Sequence, residues 1–111
     1  MKLIVAIVQD EDASRLVSTL MKDGFSVTKL ATTGGFLRAG NTTLLLGVED
    51  DKIRNAMDII ENVCKSRKQM TSAPVTMPGV AGSYAAGSYP VEVTIGGATV
   101  FVLSVDQFVK L

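Results

Sequence analysis

The sequence predicts an α+β fold with two helices packed on one face of an antiparallel sheet. Three observations carry this. Residues 3–8 are an unbroken, β-rich apolar run. Two later stretches repeat their apolar residues at helical spacing. Further short segments around and after the second of these bunch or alternate apolar residues as strands do.

Residues 3–8 read as a strand buried on both faces. Asp10 or Asp12 is placed to cap the helix that follows. In it Ala13, Leu16, Val17, Leu20 and Met21 fall at i, i+3, i+4, i+7 and i+8 and form one apolar stripe. Gly24 ends that helix as a C′ glycine. Residues 25–31 form a second strand, 32–40 a glycine-containing connection, and 42–48 a third strand centred on Leu44, Leu45 and Leu46. Asp50 or Asp51 suits the start of a second helix, whose buried stripe is Ile53, Ala56, Met57, Ile60, Val63 and Cys64. Residues 69–89, with Pro74, Pro78 and Pro90 within or just beyond them, read as a long loop with a short strand near its start. Val91, Val93 and Ile95 alternate with Glu92 and Thr94, and Gly96-Gly97 reads as a two-residue hairpin turn. Residues 98–105 are then the return strand, and 106–111 a turn or short helix. The order β-α-β-β-α-(β)-β-β matches a ferredoxin-like βαββαβ sandwich with an additional strand or hairpin. Helices on one sheet face leave the other bare in a single subunit. Apolar residues there predict association.

The 111 residues suggest one domain, residues 1–111. Eleven basic and eleven acidic residues cancel, which argues against a duplex nucleic-acid partner. A small anionic ligand needs only a local positive site and stays open. There is no His and one Cys, so an internal disulfide is excluded and a zinc site disfavoured. Cys64 lies on the apolar helix stripe and reads as a core residue with no His to activate it. The first apolar run is too short for a signal peptide and leads into Gln9-Asp10-Glu11-Asp12. No apolar stretch approaches the roughly 20 residues of a membrane span. The expectation is a cytoplasmic protein with no membrane insertion, metal or cofactor.

The segment that bears chemistry is Thr28-Lys29-Leu30-Ala31-Thr32-Thr33-Gly34-Gly35-Phe36-Leu37-Arg38-Ala39-Gly40-Asn41-Thr42-Thr43. Gly35 through Thr42 is one residue from a phosphate-binding P-loop, with Asn41 where lysine should stand. A P-loop opens a helix, whereas this segment leads into a leucine-rich strand, so that reading is set aside. Gly34, Gly35 and Gly40 let backbone amides approach a ligand. Thr28, Thr32, Thr33 and Asn41 supply hydroxyl and amide groups, and Arg38 a planar charge for phosphate. Phe36 can stack on a base. The same residues also fit a plain hairpin connection in which Phe36 covers a neighbouring core.

This segment resembles the signature of the PII-like cyclic-di-AMP receptor proteins of Gram-positive bacteria. Val5-Ala6-Ile7-Val8-Gln9-Asp10, Pro90-Val91-Glu92-Val93 and Gly96-Gly97-Ala98-Thr99-Val100-Phe101-Val102-Leu103 are also similar to family segments. The resemblance implies a homotrimer of ferredoxin-like subunits, with a cyclic di-AMP site at each subunit interface and no catalysis. It implies a short T-loop at about 32–40 and a long, flexible B-loop at about 69–89. Thr28, Asn41 and Gly47 would line the nucleotide pocket of one subunit. Gly35, Phe36, Leu37 and Arg38 would belong to the loop that closes on adenine, and Phe101 would add an apolar wall. Two positions depart from relatives: Ser26 stands where some carry a basic residue, and Lys110 where one carries Gln. Ligand binding that alters loop order would regulate an unknown downstream protein. The alternative readings are a PII-type sensor of ATP, ADP or another adenine nucleotide, a small enzyme using carboxylates such as Asp50-Asp51, and a purely structural trimer.

Overall fold

β1 (Lys2–Gln9) is the strand around which the fold is built. The computed structural model describes residues 1–30, 40–74 and 88–111. β1 is followed by α1 (Asp10–Lys22), β2 (Val27–Leu30), β3 (Asn41–Val48), a 3-10 turn (Asp50–Lys52) and α2 (Ile53–Cys64). Then come β4 (Arg67–Pro74), β5 (Ser88–Ile95) and β6 (Ala98–Ser104). β1 pairs antiparallel with β3 on one side and β6 on the other, and β2 adds to β3, giving the sheet order β2-β3-β1-β6. This is the ferredoxin-like arrangement the element order predicts.

Alternation along the strands decides which side chains meet the helices. Ile4, Ala6 and Val8 of β1 are buried, as are Leu44, Leu46 and Val48 of β3. They pack with Ala13, Leu16 and Leu20 of α1 and Ala56, Ile60 and Cys64 of α2 into one core. Cys64 is buried, as its place on the stripe predicts. Arg15 ties the helices: its Nη2 donates to the Val63 carbonyl at 2.9 Å, meeting one of the last carbonyls of α2, and lies 3.7 Å from the buried Asp12 carboxylate.

α1 ends as the sequence predicts. Gly24 has φ +89°, its N–H donates to the Met21 carbonyl at 3.1 Å, and the Phe25 N–H donates to the Leu20 carbonyl at 3.0 Å. This pair of bonds is a Schellman cap, with Phe25 and Leu20 both buried behind it. A Cβ at Gly24 would meet nothing within 4 Å, so conformation and not space selects glycine. Gly24→Ala is therefore expected to lower stability by about 1–2 kcal/mol, and Gly24→Asn by less, in urea unfolding.

The helix starts differ from expectation. Gln9 is the residue before α1 and gives no side-chain cap. Asp10 instead accepts a hydrogen bond from the Thr42 hydroxyl, while its N–H donates to the Gly40 carbonyl at 2.7 Å. These contacts pin the start of α1 to the start of β3. At the second helix, Asp50 and Asp51 lie in the 3-10 turn, and neither caps α2. Asp50 pairs with the Met1 amine at 3.1 Å.

The expected hairpin across Gly96-Gly97 is replaced by another. β5 pairs with β4, Arg67 opposite Ile95 and Pro74 opposite Ser88, in a separate two-stranded sheet, whereas β6 pairs with β1. Gly96 (φ +79°) and Gly97 (φ +92°) join the two pairings. β4 is the short strand expected near the start of the long loop, running from Arg67 to Pro74, whereas residues 88–89, placed by sequence in that loop, belong to β5; the rest of the loop lies outside the described residues. The chain divides into two compact units: Met1–Lys65 with Gly96–Leu111, and Ser66–Ile95.

Candidate functional site

Each strand that buries one set of side chains against the helices presents the alternate set on the opposite face. There β1 places Leu3, Val5, Ile7 and Gln9, and β3 places Asn41, Thr43, Leu45 and Gly47. Register carries the same parity across the sheet. Thr28 stands opposite Leu45, Leu45 opposite Val5, and Val5 opposite Phe101, so one row runs Thr28–Leu45–Val5–Phe101. With strands about 4.8 Å apart, that row is about 14 Å long. Leu30, Phe101 and Leu103 are 42%, 52% and 49% exposed, and the half-buried Leu3, Val5, Ile7 and Leu45 lie between them. The result is a contiguous apolar face on one subunit.

Four of the eight predicted ligand residues lie among the described residues, and all four share this face: Thr28, Asn41, Gly47 and Phe101. They do not converge on one spot. Asn41 and Gly47 are at opposite ends of β3, about 20 Å apart at roughly 3.3 Å per residue. Thr28 and Phe101 are at opposite edges of the middle row. Gly35, Phe36, Leu37 and Arg38, with most of the expected T-loop, lie outside the described residues.

A polar cavity of about 400 Å³ opens at the Asn41 end, lined by Ile7, Gln9, Asn41, Gly96, Gly97, Ala98 and Thr99. Gln9 and Asn41 are register partners. Gln9 Oε1 accepts the Gly96 N–H at 2.8 Å, and the Gly97 N–H donates to the Cys64 carbonyl. The sequence reading missed Gln9, Ile7 and Thr99. The signal was present: Gln9 is two residues past Ile7, so it shares the open face, and it is the one polar residue at the end of that apolar run. A larger groove of about 590 Å³ between α1 and β2 is lined by none of the predicted residues.

Chemically, the open face is neutral. None of its strand residues named above carries a charge, so it offers hydroxyl, amide and apolar contacts. Among the described residues, no cluster of His, Cys, Asp or Glu could hold a metal, and no helix is long and apolar enough to cross a membrane.

A family model described as cyclic-di-AMP receptor matches residues 1–111. Among solved structures, a functionally unknown protein from Pediococcus pentosaceus ATCC 25745 is similar, with 39% identity and a TM-score of 0.74, over 99% of this chain and 96% of that one.

Proposed function

The chain belongs to the cyclic-di-AMP receptor family, and from that premise we propose that it is a non-catalytic signalling receptor that takes cyclic di-AMP at the seams of a homotrimer. The observation that supports this reading is the shared open face. Residues with nucleotide-binding chemistry (Thr28, Asn41, Gly47 and Phe101) lie on a face too apolar to favour exposure. Their separation favours sites completed by a second subunit: a seam brings the Asn41 end of one face near elements of its neighbour. On this reading Arg38 supplies the positive charge, and backbone amides at Gly35 further donors, for the ligand's phosphates. Phe36 and Leu37 close on adenine, and Phe36 stacks. The T-loop at about 32–40 and the B-loop change order on binding and alter the surface offered to a downstream protein in the cytoplasm.

Calorimetry on the purified protein tests this. Cyclic di-AMP should bind with one site per subunit and without turnover, and more tightly than ATP, ADP or cyclic di-GMP. Tighter binding of ATP would select the rival adenine-nucleotide sensor, and hydrolysis of the ligand would select an enzyme. Asn41→Ala should weaken cyclic di-AMP about 2- to 13-fold, the loss of one hydrogen bond, without lowering the melting temperature. A fall in melting temperature with unchanged affinity would make Asn41 structural.

A further inference from the structure

We propose that Gln9 couples ligand occupancy at the Asn41 end of the open face to the neck from which the β4–β5 unit emerges. The proposal rests on the ligand reading above and specifies how binding reaches the rest of the chain.

The neck is well defined. The chain leaves the larger unit after Lys65 and re-enters it at Gly96. Two hydrogen bonds hold the re-entry. Gly97 N–H donates to the carbonyl of Cys64, the last residue of α2, so the outgoing and returning strands of chain are tied together. Gly96 N–H donates to Gln9 Oε1 at 2.8 Å, so the return is also tied to the end of β1. The backbone at Gly96 and Gly97 takes successive left-handed conformations that other residues rarely adopt. A Cβ at Gly97 would meet nothing within 4 Å, so backbone conformation and not space selects glycine there.

Gln9 stands at the junction of the neck and the ligand face. It lines the polar cavity together with Asn41, Thr99 and the two glycines, and it is the register partner of Asn41. A primary amide is planar and carries one acceptor oxygen and two N–H donors. Here the oxygen is committed to Gly96. The donors on Nε2 belong to the same rigid plane. A ligand oxygen that accepts from Nε2 fixes that plane and strengthens the hold of Oε1 on Gly96. The neck thus has a looser state without ligand and a tighter one with it. The coupling is reciprocal: whatever ligand binding adds to the Gly96 bond, that bond adds to ligand affinity. Gln9 is a positioning residue in this scheme, acting on the hairpin through Gly96.

Hydrogen–deuterium exchange on the full chain, with and without saturating cyclic di-AMP, tests the proposal. Without ligand, Gln9→Ala should speed exchange of the Gly96 amide about 2- to 13-fold, the loss of one hydrogen bond. Gln9→Glu keeps an acceptor and should leave it slow. With ligand, the wild-type Gly96 amide and the β4–β5 amides should slow further. That ligand-dependent slowing should vanish in both variants, since neither retains the Nε2 donor. Unchanged Gly96 exchange in ligand-free Gln9→Ala would overturn the proposal. So would ligand-dependent slowing that persists in either variant. A loss of affinity in Gln9→Ala beyond about 150-fold, the upper end of usual coupling, would assign Gln9 to direct ligand contact and overturn the coupling role. Absence of cyclic di-AMP binding to the wild type would overturn the ligand reading and the coupling with it. Faster Gly96 exchange in Gln9→Ala would then still register the bond itself, so the two failures are distinguishable.

Discussion

Val5→Asp is expected to convert the proposed trimer to monomers of 11.7 kDa while leaving secondary structure intact. Val5 is central on the open face, flanked across the sheet by Leu45 and Phe101 and along β1 by Leu3 and Ile7. In an isolated subunit this face meets water, so a carboxylate at half-buried Val5 keeps part of its hydration and costs less than it would under a covering subunit. In an assembly that covers the face, the same carboxylate is desolvated among apolar groups without a partner, at several kcal/mol per subunit. Light scattering coupled to size exclusion reads the mass, and far-UV circular dichroism reads the fold. Cyclic di-AMP binding should fall with the mass, because the proposed sites lie at seams. A wild-type protein that already elutes as a monomer, or a Val5→Asp variant that keeps the larger mass, would remove the covered face from the account.

Leu44→Ala is expected to cost about 2–5 kcal/mol of unfolding free energy, the largest effect of any single truncation proposed. Leu44 has no exposed surface and sits between Ala6 of β1 and Lys29 of β2, beneath the helices. Its removal leaves a cavity among residues fixed by backbone pairing on both sides, which cannot collapse to fill it. The neighbouring Leu45→Ala is the informative control. Leu45 is half-buried on the opposite face, so in denaturant its effect on the isolated subunit should be smaller and its effect on association larger. If the two truncations cost the same in a monomeric background, the assignment of faces is wrong.

These two leucines also mark the boundary of what sequence patterning reveals. The run Leu44-Leu45-Leu46 announces a strand, but three identical residues carry no parity, and only register with β1 separates core from surface. The helices were more legible. The spacing of Leu16, Leu20, Ala56 and Ile60 maps directly onto the buried core, because a helical period needs no partner to define a face. Gly24 was legible for a related reason: a Schellman cap is built within a few residues. Neither Asp10 or Asp12 nor Asp50 or Asp51 caps its helix, and longer-range partners, Thr42 and the Met1 amine, engage Asp10 and Asp50 instead.

Pairing was the least legible property. Gly96-Gly97 carries the local signature of a tight turn, yet β5 pairs with β4 and β6 with β1. β4 reads Arg67-Lys68-Gln69-Met70-Thr71-Ser72-Ala73-Pro74, and although a short strand is expected near the start of the long loop, its polar sequence does not name its partner, which is decided by residues far away in sequence. The site was legible in the same partial way. Among the described residues Thr28, Asn41, Gly47 and Phe101 share a face; alternation foretells this for Asn41 and Gly47 on β3, and only register adds Thr28 and Phe101. That Asn41 and Gly47 fall at opposite ends of one strand follows only from counting along β3.

The tie between Cys64 and Gly97 has an evolutionary consequence. It ties together the two points at which the chain leaves and re-enters the larger unit, whose sheet pairs β1 with β6. Closure entropy grows only logarithmically with the length of such an excursion, about 0.6 kcal/mol for each doubling. Descendants of this sequence are free to lengthen, shorten or rewrite the grafted hairpin with little loss to the rest.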